Sequence, residues 1–155
     1  MTTTSMPASC SPEQVFDVLD DGWSYPLWVV GAARMRDVDD DWPSPGSRLH
    51  HSVGVWPLML DDTTTVIEHE RPRYIRLKAR AWPTGEADVH IEVTPTAAGC
   101  VVSISEDASE GPARMIPRPV RAGGLRLRNA ETLKRLVWLA EGRAGGSGEQ
   151  SRESR

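Results

Sequence analysis

Cysteine is scarce in this 155-residue sequence: Cys10 and Cys100 are the only two, far apart along the chain. Neither belongs to a C-x-x-C pair, so zinc-site spacing and a disulfide framework are both missing. They read as two small hydrophobes in a reducing compartment. Lysine is also sparse. Lys78 and Lys134 stand alone and the other basic residues are arginines, a bias that points to a GC-rich, bacterial source. No apolar run approaches the ~20 residues needed to span a bilayer. Met1–Ser9 has neither the positive region nor the apolar stretch of a secretory signal. A cytoplasmic protein without a membrane span is expected.

Excess positive charge is missing too. Lys+Arg total 18 against 22 Asp+Glu, a net charge of −4, which lacks the electrostatic footprint of a nucleic-acid binder. The stretch Arg114–Arg128 can touch an anion locally, although solvated arginines are the plainer reading. There is no G-x-S-x-G, H-E-x-x-H, P-loop or G-x-G-x-x-G. Ser, His and Asp occur with nothing to mark a triad. Among the histidines, His50 and His51 point to opposite sides of a strand, and no two have metal spacing with a carboxylate partner. No cofactor and no metal are expected.

What is present is the composition of one globular domain, 39% hydrophobic and 26% charged, long enough to bury a core without disulfides or metal. Thr2–Ala8 reads as a first strand. Ser11-Pro12-Glu13-Gln14 is a helix start with Ser11 as N-cap, Pro12 in the first turn and Gln14 closing a capping box. Val15, Phe16, Val18 and Leu19 give that helix an apolar face, and Gly22 ends it. Trp23–Val30 reads as a second short helix. Strands follow at Met35–Val38, Arg48–Val55, Leu58–Glu68, Tyr74–Trp82, Glu86–Pro95 and Cys100–Ala108. Pro- and Gly-rich turns separate them, Trp42–Ser47 among them.

The turn Pro83-Thr84-Gly85 suits a three-residue hairpin loop with Gly85 in the left-handed position. That loop predicts Ile75 opposite Val93, Leu77 opposite Ile91 and Ala79 opposite Val89, with Arg76 facing Glu92 and Arg80 facing Asp88 on the other side. A Gly/Pro-rich passage, 111–124, reads as a loop or gate. Asn129–Glu141 is helical along a stripe of Leu133, Leu136, Val137 and Ala140. Gly142 is its natural stop, and 142–155, polar and glycine-rich, reads as a disordered tail.

The polar residues of interest sit among apolar ones. Leu49, His51, Val53, Val55, Leu58, Leu60, Asp62 and Thr64 share one strand face. A two-residue connection puts His51 opposite Asp62, although Pro57 fits such a turn poorly. A His and an Asp on an apolar face each cost a few kcal/mol unless paired or wetted. They either form the polar end of a pocket, orienting a ligand or acting as acid and base, or make a structural His–Asp hydrogen bond, or lie on a face partly exposed to solvent at the sheet edge. A neighbouring carboxylate should raise the His51 pKa. Glu106 alternates with Val102 and Ile104 and either looks inward or frays. Asn129 either faces a cavity or caps the helix. Trp23, Tyr25 and Trp28 crowd one short segment, as ligand wall or as packing. Trp56 and Trp82 fall at hairpin tips.

Several words together resemble a family: S-P-E-Q-V-F-D-V-L (Ser11–Leu19), W-S-Y-P-L-W (Trp23–Trp28), P-G-S-R-L (Pro45–Leu49), R-P-R-Y-I-R-L-K-A-R (Arg71–Arg80) and R-N-A-E-T-L-K-R-L (Arg128–Leu136). In this order they resemble the START-like (SRPBCC) helix-grip superfamily, in its polyketide cyclase/dehydrase and lipid-transport branch. The resemblance implies an α+β helix-grip fold over residues 2–141. A curved antiparallel sheet of about seven strands wraps a long C-terminal helix, with two short helices after the first strand. It implies a cavity for a small apolar molecule, either a lipid, a polyketide or an aromatic metabolite. The expected lining is Tyr25, Trp28, Leu49, His51, Val53, Leu60, Asp62, Leu77, Ala79, Val89, Ile91, Ile104, Glu106, Asn129 and Leu133. The alternatives are a cyclase/dehydrase-type enzyme using His51 and Asp62, or a regulatory or stress partner recognised by its surface. A monomer or homodimer is expected.

Overall fold

The computed structural model describes residues 2–30, 32–55, 58–81, 85–110 and 112–153, with side chains at these positions except 33, 53–55, 58–60, 81, 108–110, 113, 114, 121 and 147–153. The elements in chain order are β1 (Thr2–Ala8), α1 (Pro12–Leu19), a 3-10 turn (Gly22–Ser24), α2 (Tyr25–Trp28), β2 (Ala32–Val38), β3 (Arg48–Val55), β4 (Leu58–Glu70), β5 (Tyr74–Ala81), β6 (Gly85–Thr96), β7 (Gly99–Glu110), a second 3-10 turn (Pro112–Met115) and α3 (Arg118–Glu153). Seven antiparallel strands form one curved sheet in the order β1-β7-β6-β5-β4-β3-β2. Each strand from β2 to β7 pairs with its chain neighbour, and β1 closes against β7. The helix grip follows, with α3 packed against β1, β7, α1 and α2.

Local chemistry explains the pieces. The Ser11 hydroxyl accepts from the Gln14 N–H at 3.2 Å, and the Gln14 side chain accepts from the Ser11 N–H at 2.9 Å, which completes the capping box. Val15, Phe16, Val18 and Leu19 are buried, each worth about 1.5–3 kcal/mol for the larger side chains. This helix ends at Leu19, before the expected Gly22, and Gly22 opens the 3-10 turn instead. A Cβ there would meet Leu49 at 2.6 Å and Val38 at 2.8 Å, so glycine lets the short helices lie directly on the sheet. Asp20 at the helix end holds Arg71 at 2.7 Å and His69 at 2.9 Å, and Asp17 holds Arg71 at 2.7 Å. This tie fixes α1 to the β4–β5 turn and raises the Arg71 pKa.

Three expectations are corrected. In the β5–β6 hairpin Ile75 faces Ile91, Leu77 faces Val89 and Ala79 faces Ala87, two residues from the expected register. Lys78 faces Asp88 and Arg80 faces Glu86, so the charged face is paired either way. Gly85 does take a positive φ, 112°, but as the strand residue opposite Ala81. Pro83 and Thr84 of the expected turn lie outside the described residues. Second, the 111–124 passage is not one loop, since Pro112–Met115 is a 3-10 turn and α3 starts at Arg118. Third, α3 runs past Gly142 to Glu153. Gly142 has no left-handed φ, and a glycine inside a helix costs only about 1 kcal/mol, too little to compel a stop. The expected tips Trp56 and Trp82 lie outside the described residues.

Candidate functional site

The β3–β4 register places His51 directly opposite Asp62, and Leu49 opposite Thr64. Strand alternation turns these four toward α3 and α2, where all are buried. His51 Nε2 lies 2.9 Å from Thr64 Oγ1, and the Tyr25 hydroxyl lies 3.1 Å from the same oxygen. The imidazole stacks on the Tyr25 ring at 5.3 Å and 28°, and Tyr25 meets Trp28 edge-on at 5.3 Å. A Tyr25–Thr64–His51 chain therefore joins α2 to the sheet.

Burial drives the His51 pKa below its ordinary value. Asp62 pulls the other way and loses, while Arg36 and His50 add to the lowering. Asp62 acts in the expected direction, but the net shift is downward, because taking the imidazolium out of water outweighs one nearby carboxylate. The imidazole is hydrogen-bonded to Thr64. The Asp62 carboxylate accepts from the Thr63 N–H at 3.1 Å. Burial also raises the Tyr25 pKa.

A second polar group sits between β7 and α3. Glu106, 4% exposed, looks inward and accepts from Arg128 Nη1 at 2.8 Å. Arg128 Nε donates to the Val30 carbonyl at 3.2 Å, and one turn further on Thr132 Oγ1 accepts from the Val30 N–H at 3.3 Å. Between them Asn129 is 1% exposed, facing inward rather than capping a helix end.

Tyr25, Trp28, Thr64, Glu106, Arg128, Asn129 and Thr132 border a small cavity of about 20 Å³ between sheet, α2 and α3, room for about one water. Of the expected lining, Tyr25, Trp28, Leu77, Ala79, Val89, Ile91, Ile104, Glu106 and Asn129 border it. Leu49, His51, Asp62 and Leu133 are buried but stand outside that lining, His51 behind Tyr25 and Thr64. The side chains of Val53 and Leu60 lie outside the described residues. Val29, Thr64, Arg128 and Thr132 border the cavity without having been singled out. Thr64 was legible on the His51 face, and Arg128 precedes Asn129. Trp23 turns outward, 59% exposed.

Three buried side-chain nitrogens here have no hydrogen-bond partner among the described residues: Trp28 Nε1, Asn129 Nδ2 and His51 Nδ1. A larger groove of about 630 Å³ opens on the other sheet face, walled by Glu68, Tyr74, Arg76, Lys78, Asp88 and His90. Its charges pair with one another, Arg76 with Glu68 at 2.8 Å and Lys78 with Asp88 at 3.9 Å. We take the small cavity as the candidate site: the groove also holds an unmatched buried nitrogen, His90 Nε2, but its wall is largely solvated and charged, whereas the cavity is lined mostly by apolar residues with two unmatched donors among them.

Elsewhere, His50 binds Asp39 at 3.0 Å and lowers its pKa. Cys10 and Cys100 are both buried, and burial raises both pKa values, that of Cys100 to about 11. No group of three His, Cys, Asp or Glu among the described residues is placed to hold a metal. No helix among them is long and apolar enough to cross a membrane.

A family model described as "Polyketide cyclase / dehydrase and lipid transport" matches residues 2–141. No curated protein matches the sequence. Among solved structures, protein NE0264 from Nitrosomonas europaea superposes with a TM-score of 0.71 at 14% identity, over 92% of this chain and 95% of that one. The di-domain ARO/CYC StfQ from the steffimycin biosynthetic pathway gives 0.71 at 15% identity, over 92% of this chain and 51% of that one. Ara h 8.0201 gives 0.69 at 8% identity, over 90% and 96%. At these identities the likeness is one of fold.

Proposed function

Because the chain belongs to the polyketide cyclase/dehydrase and lipid-transport family, we propose that it binds a small apolar molecule between the sheet and α3 and holds it without transforming it. The observation that carries this reading is the cavity between the sheet, α2 and α3, whose wall is largely apolar (Trp28, Val29, Leu77, Ala79, Val89, Ile91 and Ile104). A ligand burying about 300 Å² of apolar surface gains roughly 7 kcal/mol gross, less the ordering terms of association. The space is contracted as it stands, so the gap must widen. The movable side is the first part of α3, which the Arg128–Glu106 pair ties to the sheet. In this reading residues 2–141 are the binding domain, and the helical extension beyond them is dispensable.

Mass spectrometry of an organic extract of the purified protein tests this. An apolar molecule at near-equal molar amount is expected. An empty extract, together with no fluorescence gain by the neutral probe N-phenylnaphthylamine, refutes it.

One observation favours a second reading, an enzyme of cyclase/dehydrase type. The Tyr25–Thr64–His51 chain reaches the cavity through two lining hydroxyls, and a neutral His51 can accept a proton through it. On this reading His51→Ala abolishes turnover of a β-keto substrate while probe binding persists. Unchanged turnover removes His51 from any mechanism.

A further inference from the structure

We propose that the cavity selects a neutral ligand carrying a hydrogen-bond-accepting oxygen, a ketone or ester rather than a hydrocarbon or a carboxylate. The inference rests on the binding reading above and adds the ligand's chemical class.

Trp28 Nε1 and Asn129 Nδ2 are orphans on residues 3% and 1% exposed, and both residues line the same cavity. An indole N–H can only donate, and an amide NH₂ donates as well. The complement to both is an acceptor. Leaving buried donors unmatched is costly, and this asymmetry makes a site reject an analogue lacking the matching oxygen. The two donors come from α2 and α3, so an acceptor oxygen can be met from either of the two elements that border the cavity.

The charge of the ligand follows from the neighbours. The lining cation, Arg128, is engaged by Glu106 Oε1 at 2.8 Å and by the Val30 carbonyl. The lining anion, Glu106, is buried beside it. A ligand carboxylate would bring a second negative charge into a low-dielectric space whose one cation is already held. A carbonyl brings none.

The test is displacement of N-phenylnaphthylamine by three molecules of equal chain length at neutral pH: a medium-chain methyl ketone, the corresponding carboxylate and the corresponding terminal alkene. The ketone should bind about tenfold more tightly than the alkene, about 1.4 kcal/mol, and the carboxylate more weakly than the ketone. In Asn129→Leu the preference for ketone over alkene should fall to about twofold or less. Trp28→Phe should act in the same direction. Asn129→Leu replaces an unmatched amide with an apolar group of similar volume and should not lower Tm, which separates a lost contact from a lost fold. Equal binding of ketone and alkene by the unaltered protein overturns the inference and leaves the binding reading intact. So does tightest binding of the carboxylate, or a ketone preference that survives both substitutions. Failure of all three molecules and of the probe overturns the binding reading itself.

Discussion

The two ends of α3 are held by different physics. From Asn129 onward the helix buries Leu133, Leu136, Val137 and Ala140, with Leu133, Leu136 and Ala140 fully shielded. Before Asn129 it shows Val120 and Leu127 to solvent, Leu127 being 78% exposed. There its ties to the rest of the molecule include two polar contacts of Arg128. Apolar burial is non-directional and hard to exchange for water, whereas a half-exposed ion pair is screened and remade easily. The contrast divides one helix into a deeply packed anchor and a more exposed first part, with the cavity beneath the junction.

The largest test of that contrast is a pair of leucines. Leu133→Ala should cost about 3 kcal/mol and Leu127→Ala less than about 0.5 kcal/mol, read by urea unfolding. Similar losses at both sites would erase the distinction. Next, Arg128→Met strands the Glu106 carboxylate. Removing one member of a fully buried pair costs 3–5 kcal/mol; with Arg128 half-exposed, roughly 1–2 kcal/mol is expected. Bound N-phenylnaphthylamine should also leave faster, and adding Glu106→Gln should restore stability but not slow release. Release at the original rate would move the opening elsewhere.

A smaller effect comes from pH. His51 is held neutral in the fold, so below about pH 6.5 the unfolded chain binds a proton that the folded chain refuses. Stability is then complete above that pH and falls as pH drops toward the folded-state pKa. The groups acting on His51 are Asp62, Arg36 and His50. A His51→Asn variant should show a flatter stability profile between pH 7 and pH 5, and a profile as steep as the original would assign the acid sensitivity to other residues. Smallest of all, deleting residues 147–155 should shift stability by less than about 0.5 kcal/mol in the same assay. A larger loss would place a necessary contact in that extension.

Much of this was legible from pattern. The buried face of β3–β4 was readable, because a His and an Asp break an otherwise apolar alternation and so mark its phase; the pairing of His51 with Asp62 was one of two left open by the connection, and the structure takes it. The β5–β6 register was not readable. Ile75, Leu77 and Ala79 meet apolar partners in either of two alignments two residues apart, and in each alignment two of Arg76, Lys78 and Arg80 meet acids while the third meets His90. A shift of two keeps every side chain on its own face, so only the turn decides between them. Glu106 and Asn129 were open to two readings each, and burial resolves both inward. Arg128 was missed as a lining residue because a cation in an arginine-rich stretch reads as solvated. Only the approach of β7 gives it Glu106.

The sheet order carries a last consequence. The Thr3 hydroxyl is hydrogen-bonded to that of Ser105, 102 positions later. At synthesis rates of roughly 5–20 residues per second, the opening strand waits about 5–20 s on the ribosome before its neighbour exists. The waiting segment is Thr2-Thr3-Thr4-Ser5, hydroxyl-bearing and only sparsely apolar, which is chemistry that stays solvated while unpaired. Isoleucines at Thr3 and Ser5, both on the outward side of β1, would leave the finished fold nearly unchanged and expose a sticky edge during translation.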